Sequence, residues 1–129
     1  MDALNELYEK FGKEIAIIGI NSNDSTDYPE DSFDAMKQTA KEKGFGFDYL
    51  VDETQEIAKK YGAMCTPDPF LFNNQKQLVF HGRIDNAMKP DDIVTEKTMI
   101  NNMQKLLSGE KIEKDFDPSI GCSIKWKEN

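Results

Sequence analysis

Residues 62–72 constrain the fold of this chain more than any other stretch. They join a predicted helix to a predicted buried strand and contain Cys65, one of two cysteines. The Thr66-Pro67 bond is our candidate for a cis peptide, because the cis form costs little before proline and far more before any other residue. Pro67 also lacks an N–H group, so it interrupts a sheet ladder at that point. An open backbone edge beside a thiol is suited to holding an extended thiol-bearing peptide.

The hydrophobic pattern around this segment predicts alternating helices and strands. The apolar, β-branched run at 15–20 is typical of a strand buried on both faces of a parallel sheet. Asp52 and Gln55 form a capping-box pattern at the start of a helix that Gly62 ends. Other helices are predicted over 2–11, from Pro29 to Gly44, and from Thr95 or Thr98 to Gly109, with strands at 47–51, 70–72 and 77–82. The short turn at 73–76 makes the last two strands an antiparallel hairpin. This order predicts a layered α/β fold: a mixed sheet with a C-terminal antiparallel hairpin, flanked by helices.

The length of 129 residues suits one domain, which we place at 1–109. Residues 110–129 form a tail without clear periodicity. This tail still contains Ile120, Cys122, Ile124 and Trp126. We therefore expect it to dock on the domain.

Composition excludes several classes of function. The net charge of −8, from 24 acidic and 16 basic residues, is unsuited to neutralising nucleic-acid phosphates. No apolar run reaches the ~18 residues that a membrane span needs, and the N-terminus lacks a signal-peptide pattern. We therefore expect a cytoplasmic chain with no nucleic-acid or membrane partner. With one histidine, and two cysteines 57 positions apart, we expect no metal site and no cofactor.

Five segments occur in the order found in one group of thioredoxin-like proteins. They are 21–24, 28–33, 65–68, 82–85 and 121–127. The chain resembles the redoxins of the alkyl hydroperoxide reductase/thiol-specific antioxidant family over about residues 2–127. The resemblance implies a thioredoxin-like fold and a thiol–disulfide oxidoreductase or peroxiredoxin-like antioxidant activity. It also implies that the substrates are thiol or disulfide proteins, or peroxides.

The chain departs from the family pattern at its N-terminus. Members of the family carry an upstream strand and a Cys-x-x-Cys segment, and nothing in this sequence corresponds to either. We therefore expect an N-terminally truncated thioredoxin-like fold, arising from a truncated reading frame, a swapped dimer or completion by another chain. We also expect little activity from this chain alone. The alternative function is a non-catalytic module that binds peptides or regulates a partner.

The remaining candidate site residues lie near the proline loop or in the tail. Cys65 and Cys122 are the candidate catalytic thiols, and Thr66, Pro67 and Arg83 are the candidate substrate-binding residues. Cys65 could equally be a buried structural residue, a thiol that exchanges disulfides, or half of a disulfide with Cys122. A reactive Cys65 needs a pKa below the ordinary thiol value of about 8.5.

The roles of two further residues are interpreted as follows: His81 lies in the second hairpin strand, and Arg83 lies in the loop after it. Arg83, the one arginine, either pairs with Asp85 to fix its loop or binds an anion or thiolate near Pro67. His81 is interpreted as a surface or packing residue.

Overall fold

The fold is described here from a computed structural model, which covers residues 2–26, 28–87, 92–119 and 122–127. Its α-helices are α1 (Asp2–Phe11), α2 (Phe33–Lys43), α3 (Glu56–Tyr61) and α4 (Thr98–Ser108), with a 3-10 turn at Pro29–Asp31. Its strands are β1 (Ile18–Asn21), β2 (Asp48–Val51), β3 (Cys65–Thr66), β4 (Phe70–Phe72), β5 (Leu78–Gly82), β6 (Phe116–Asp117) and β7 (Cys122–Ser123). The chain divides into two compact units, Met1–Met64 with Ser123–Asn129, and Cys65–Cys122.

The first unit is built on a parallel pair of strands. β1 and β2 pair with Ile18 opposite Asp48. The Ser32 hydroxyl accepts a hydrogen bond from the N–H of Ala35 and caps α2, which ends at Gly44 in the left-handed conformation. The buried apolar side chains of this unit are Leu7, Phe11, Met36, Phe47, Ala58 and Ile124.

The prediction that 15–20 forms a strand buried on both faces is wrong. The strand begins only at Ile18, and Ile18 and Ile20 are 55% and 42% exposed. In the described part of the chain, β1 pairs with β2 alone. A two-stranded sheet offers too few neighbours to cover both faces of an apolar strand, although the sequence pattern itself is that of a buried one.

The predicted capping box at Asp52 and Gln55 does not form, because α3 begins only at Glu56 and Gln55 itself occupies the N-cap position. The Asp52 carboxylate accepts hydrogen bonds from the N–H groups of Ala58, at 3.0 Å, and Ile57, at 3.4 Å. The amide of Gln55 turns away and bonds with the carbonyl oxygens of Ser22 and Lys125. Asp52 therefore binds N–H groups of the first turn of α3 from three residues before the N-cap position, while Gln55 connects distant segments.

The second unit contains the predicted hairpin. β4 and β5 pair antiparallel, with Phe70 opposite His81 and Leu71 opposite Phe80. The side-chain oxygen of Asn73 accepts hydrogen bonds from the turn, and β6 lies parallel to β5. The core side chains here are Leu71, Phe80, Met99, Ile100 and Met103. The predicted mixed α/β architecture with a C-terminal antiparallel hairpin is confirmed.

The tail is shared between the two units. Residues 110–122 belong to the second unit, where the N–H of His81 donates to the carbonyl of Asp115. The later residues belong to the first unit, where Ile124 is 5% exposed and its N–H donates to the carbonyl of Met64 at 3.2 Å. Ile120, part of the predicted docking segment, lies outside the described residues. Among the described helices, none has the length and apolar character needed to cross a membrane.

Candidate functional site

The proline loop begins where the two ends of the second unit meet. β3 and β7 form a two-stranded sheet, so the backbones of Cys65 and Cys122 lie on adjacent strands. The Thr66–Pro67 peptide bond is cis, and Pro67 is exposed. Cys65 is a free thiol in the structure. The structure therefore brings the predicted residues Cys65, Thr66 and Pro67 together at an accessible loop.

Cys65 is placed where its protonated form is favoured. The thiol is partly buried, and its Sγ donates to the carbonyl of Pro67 at 3.7 Å. Burial, and then the negative charge of Asp68, raise the pKa of the Cys65 thiol above its ordinary value. A reactive thiolate at neutral pH needs the opposite shift. This environment thus favours the thiol form of Cys65 over the thiolate.

Asp68 and His81 form a close pair beside this loop. The His81 Nε2 and Asp68 Oδ1 atoms are 2.6 Å apart, and the Asp68 side chain is only 8% exposed. The imidazole stacks on the ring of Phe70, with centroids 4.1 Å apart and planes 11° apart. On another side it approaches Phe116, at 5.1 Å between centroids. The two aromatic contacts fix the orientation of the imidazole toward the carboxylate.

This pair was not predicted from the sequence, where His81 is interpreted as a surface or packing residue. A signal was present in the hairpin: once β4 and β5 are paired, His81 lies opposite Phe70, two residues after Asp68. The Asp68 carboxylate therefore acts on the thiol, whose ionisation it opposes, and is hydrogen-bonded to the His81 imidazole. Asp68 is thus the charged residue of the proline loop that affects Cys65 and contacts His81.

Arg83 belongs to a different cluster. Its guanidinium pairs with Glu96, at 3.2 Å, and with Asp117, at 3.4 Å. Its Nε also donates to the hydroxyl of Thr98 at 3.1 Å. The predicted pairing with Asp85 is not what the structure shows, because Asp85 instead accepts from the N–H of Ala87. Arg83 thus holds the loop after β5, through partners that only the fold brings near.

The carboxylates around Arg83 do not make a metal site. Hydrogen bonds from Thr98 and then Arg83 lower the pKa of Glu96. Asp117 has a second cation within reach, the Lys114 ammonium at 3.4 Å. Over the described ranges, no group of three or more His, Cys, Asp or Glu residues is arranged to hold a metal ion.

Comparison with known proteins places the chain in a family. The model of the AhpC/TSA family matches residues 1–81, more than half of the 129. The chain belongs to the AhpC/TSA family. No curated protein matches it.

Two solved structures resemble the AhpC/TSA chain over nearly its whole length. One is a hypothetical protein from Sinorhizobium meliloti, with a TM-score of 0.91 and 36% identity. The other is an uncharacterized conserved protein from Geobacillus kaustophilus, with a TM-score of 0.90 and 40% identity. The match covers 99% of this chain in each case, and 70% and 68% of those longer chains. The fold of this AhpC/TSA chain is therefore thioredoxin-like, and it is shared with proteins that are themselves uncharacterized.

Proposed function

We propose that this AhpC/TSA chain takes part in thiol–disulfide or peroxide chemistry as the segment that receives the substrate, and that Cys65 is not the attacking thiolate. The family match over residues 1–81 supports the thiol chemistry, and the assignment of Cys65 follows from its burial and from the Asp68 carboxylate, which raise the pKa of its thiol. Thr66 and Pro67 would hold an extended substrate through their backbone. Arg83 has no assigned contact with substrate, since its guanidinium is engaged by Glu96 and Asp117.

The chemistry explains why the attacking group matters. In disulfide exchange, a thiolate bonds to one sulfur of the substrate, the S–S bond breaks, and the departing thiolate takes up a proton. In peroxide reduction, a thiolate bonds to one oxygen, the O–O bond breaks, and a sulfenic acid and a hydroxide or alkoxide result. Both reactions begin with a thiolate, and the only cysteines among residues 1–129 are Cys65 and Cys122. We assign the attacking thiolate to another segment of the protein or to a partner, and the Cys122→Ser variant below tests whether Cys122 attacks instead.

The open side of β1 fits this proposal. Ile18 and Ile20 are largely exposed, and β1 pairs with β2 alone among the described strands. Unpaired strand edges favour the addition of a further strand. We assign that strand to another segment or to a second copy that completes the fold by swapping.

The test measures two activities of the 129-residue chain: insulin reduction with dithiothreitol, and consumption of hydrogen peroxide. Both are expected near the background of the reductant alone. The matched variants are Cys65→Ser, Cys122→Ser and the double variant, each checked for folding by circular dichroism. Strong activity that Cys65→Ser abolishes would make Cys65 the attacking group and overturn its assignment here. Strong activity that survives the double variant would overturn thiol chemistry altogether.

A second function is a peptide-binding module without redox chemistry. The raised pKa of the Cys65 thiol favours it too, because a protonated thiol can remain in a binding site without reacting. An NMR titration of the double serine variant with an extended cysteine-free peptide tests this function. Saturable shifts confined to the amides of 64–68 would support it, and unchanged spectra would exclude it for that peptide.

A further inference from the structure

One cavity of the second unit has a polar wall formed by α4. Thr98, Asn101, Asn102 and Lys105 line this cavity, whose volume is about 210 Å³. Their spacing of three and four residues places them on one stripe of the helix. Thr98 and Asn102 are 6% and 8% exposed, Lys105 is half-buried and Asn101 is exposed, so the stripe runs from the interior to the surface. Polar residues at buried helix positions break the amphipathic pattern, and such breaks concentrate at functional sites.

The side chain of Asn102 favours a polar occupant of this cavity. Its amide group has no hydrogen-bond partner among the residues that the structure describes. The amide is not among the fully shielded side-chain atoms that lack a partner, so it opens onto the space of the cavity. The neighbouring Thr98 hydroxyl is not available, because it accepts from Arg83 and donates to Glu96. The contents of the cavity are therefore the natural partner of the Asn102 amide.

The charges around the cavity indicate what those contents are. Asp117, which also lines the cavity, is already paired with Arg83 and Lys114. Within the described part of the chain, Lys105 and Glu113 also line the cavity and have no ion-pair partner. A ligand that carries both charges is therefore complementary to the Lys105 ammonium, the Glu113 carboxylate and the Asn102 amide.

We propose that this cavity binds a small zwitterion of amino-acid size. Its carboxylate lies against the Lys105 ammonium and the Asn102 amide, and its ammonium lies against Glu113. The volume suits such a ligand, because it is below the roughly 300–1,000 Å³ of pockets for drug-sized molecules. The buried side chain of Phe80 also lines the cavity.

This site is separate from the proline loop. Successive side chains of a strand point to opposite faces, so Phe80 lies on one face of the β4–β5–β6 sheet and His81 on the other. The proposal therefore stands whether or not the chain takes part in thiol chemistry.

The experiment is an NMR titration of the ¹⁵N-labelled chain with three compounds. L-alanine carries both charges, L-alaninamide lacks the carboxylate, and propanoate lacks the ammonium. L-alanine should give saturable shifts at the amides around the cavity, and each of the other two should bind about tenfold or more weakly, since each loses one charge-assisted contact. Lys105→Gln should weaken L-alanine binding by a similar factor. Lys111→Gln, which removes an exposed lysine outside this cavity, should leave it unchanged.

Asn102→Ala separates a binding role from a structural one. It should weaken L-alanine binding while the melting temperature of the ligand-free chain stays the same or rises, because the amide it removes has no partner. Equal shifts with all three compounds, or none with L-alanine, would mean that the cavity holds water only and would overturn the proposal. A lower melting temperature together with unchanged L-alanine binding would also overturn it.

Discussion

In the first unit, removal of the Gln55 side chain is the most informative single test of what stabilises the fold. It is 1% exposed, and its Nε2 donates to the carbonyls of Ser22, at 2.7 Å, and Lys125, at 2.9 Å. Its Oε1 accepts from the N–H of Lys127 at 2.9 Å. At about 0.5–1.5 kcal/mol for each hydrogen bond, Gln55→Ala should lower the free energy of unfolding by about 2–4 kcal/mol. That is a large part of the roughly 5–15 kcal/mol that holds an ordinary domain folded.

Two further variants separate the side chain from the backbone. Gln55 has a φ of +65°, a conformation that glycine adopts without strain. Gln55→Gly should therefore be less destabilised than Gln55→Ala, by about 1 kcal/mol. Gln38→Ala is the matched control, because the Gln38 side chain donates its hydrogen bond to Glu42 on an exposed helix face. It should change stability by no more than about 0.5 kcal/mol.

Urea denaturation followed by circular dichroism gives the change in unfolding free energy, and amide hydrogen exchange locates it. Gln55→Ala should accelerate exchange at Lys127, whose N–H loses its acceptor. A loss below about 0.5 kcal/mol would refute the claim that these three hydrogen bonds, two of them to the tail, stabilise the unit. Unchanged exchange at Lys127 would refute it as well.

Three other predictions concern single residues. Gly82→Ala should lower the free energy of unfolding by about 3 kcal/mol or more, because a Cβ at this φ of +150° would lie 1.8 Å from the backbone oxygen of Asp117; an unchanged melting temperature would contradict the close approach. Burial opposes the ionisation of Asp52, but hydrogen bonds led by the N–H of Ala58 outweigh it and lower its pKa. The stability that Asp52 contributes is therefore complete above its unfolded-state pKa and is lost as the pH falls through its folded-state pKa. In urea denaturation, Asp52→Asn should lose less unfolding free energy between neutral and acidic pH than the unsubstituted chain. An equal loss of unfolding free energy would count against this assignment. Asp68→Asn should speed the alkylation of Cys65 by iodoacetamide several-fold at neutral pH, because it removes a charge that raises the thiol pKa; a slower reaction would show that Asp68 does not act this way.

Local elements were predictable from the sequence. Apolar spacing predicted α1 and the β4–β5 hairpin, and Gly44, Gly62 and Gly109 do end helices in the left-handed conformation. These features depend on neighbours a few residues apart, where periodicity and backbone preference carry the information. The five resembling segments also pointed to the family that the comparison then showed.

The partners of individual side chains depended on the tertiary structure. The pattern at Gln55 predicted a contact three residues away, but its amide bonds to carbonyl and N–H groups 33 to 72 positions distant. His81 contacts Asp68 because the hairpin register brings them together. Arg83 forms ion pairs with Glu96 and Asp117 rather than with Asp85. The pattern at 15–20 specified an apolar strand, but only the number of paired strands decided that Ile18 stays exposed. A sequence pattern records what a residue prefers, whereas burial and ion pairing depend on which distant segments the folded chain places beside it.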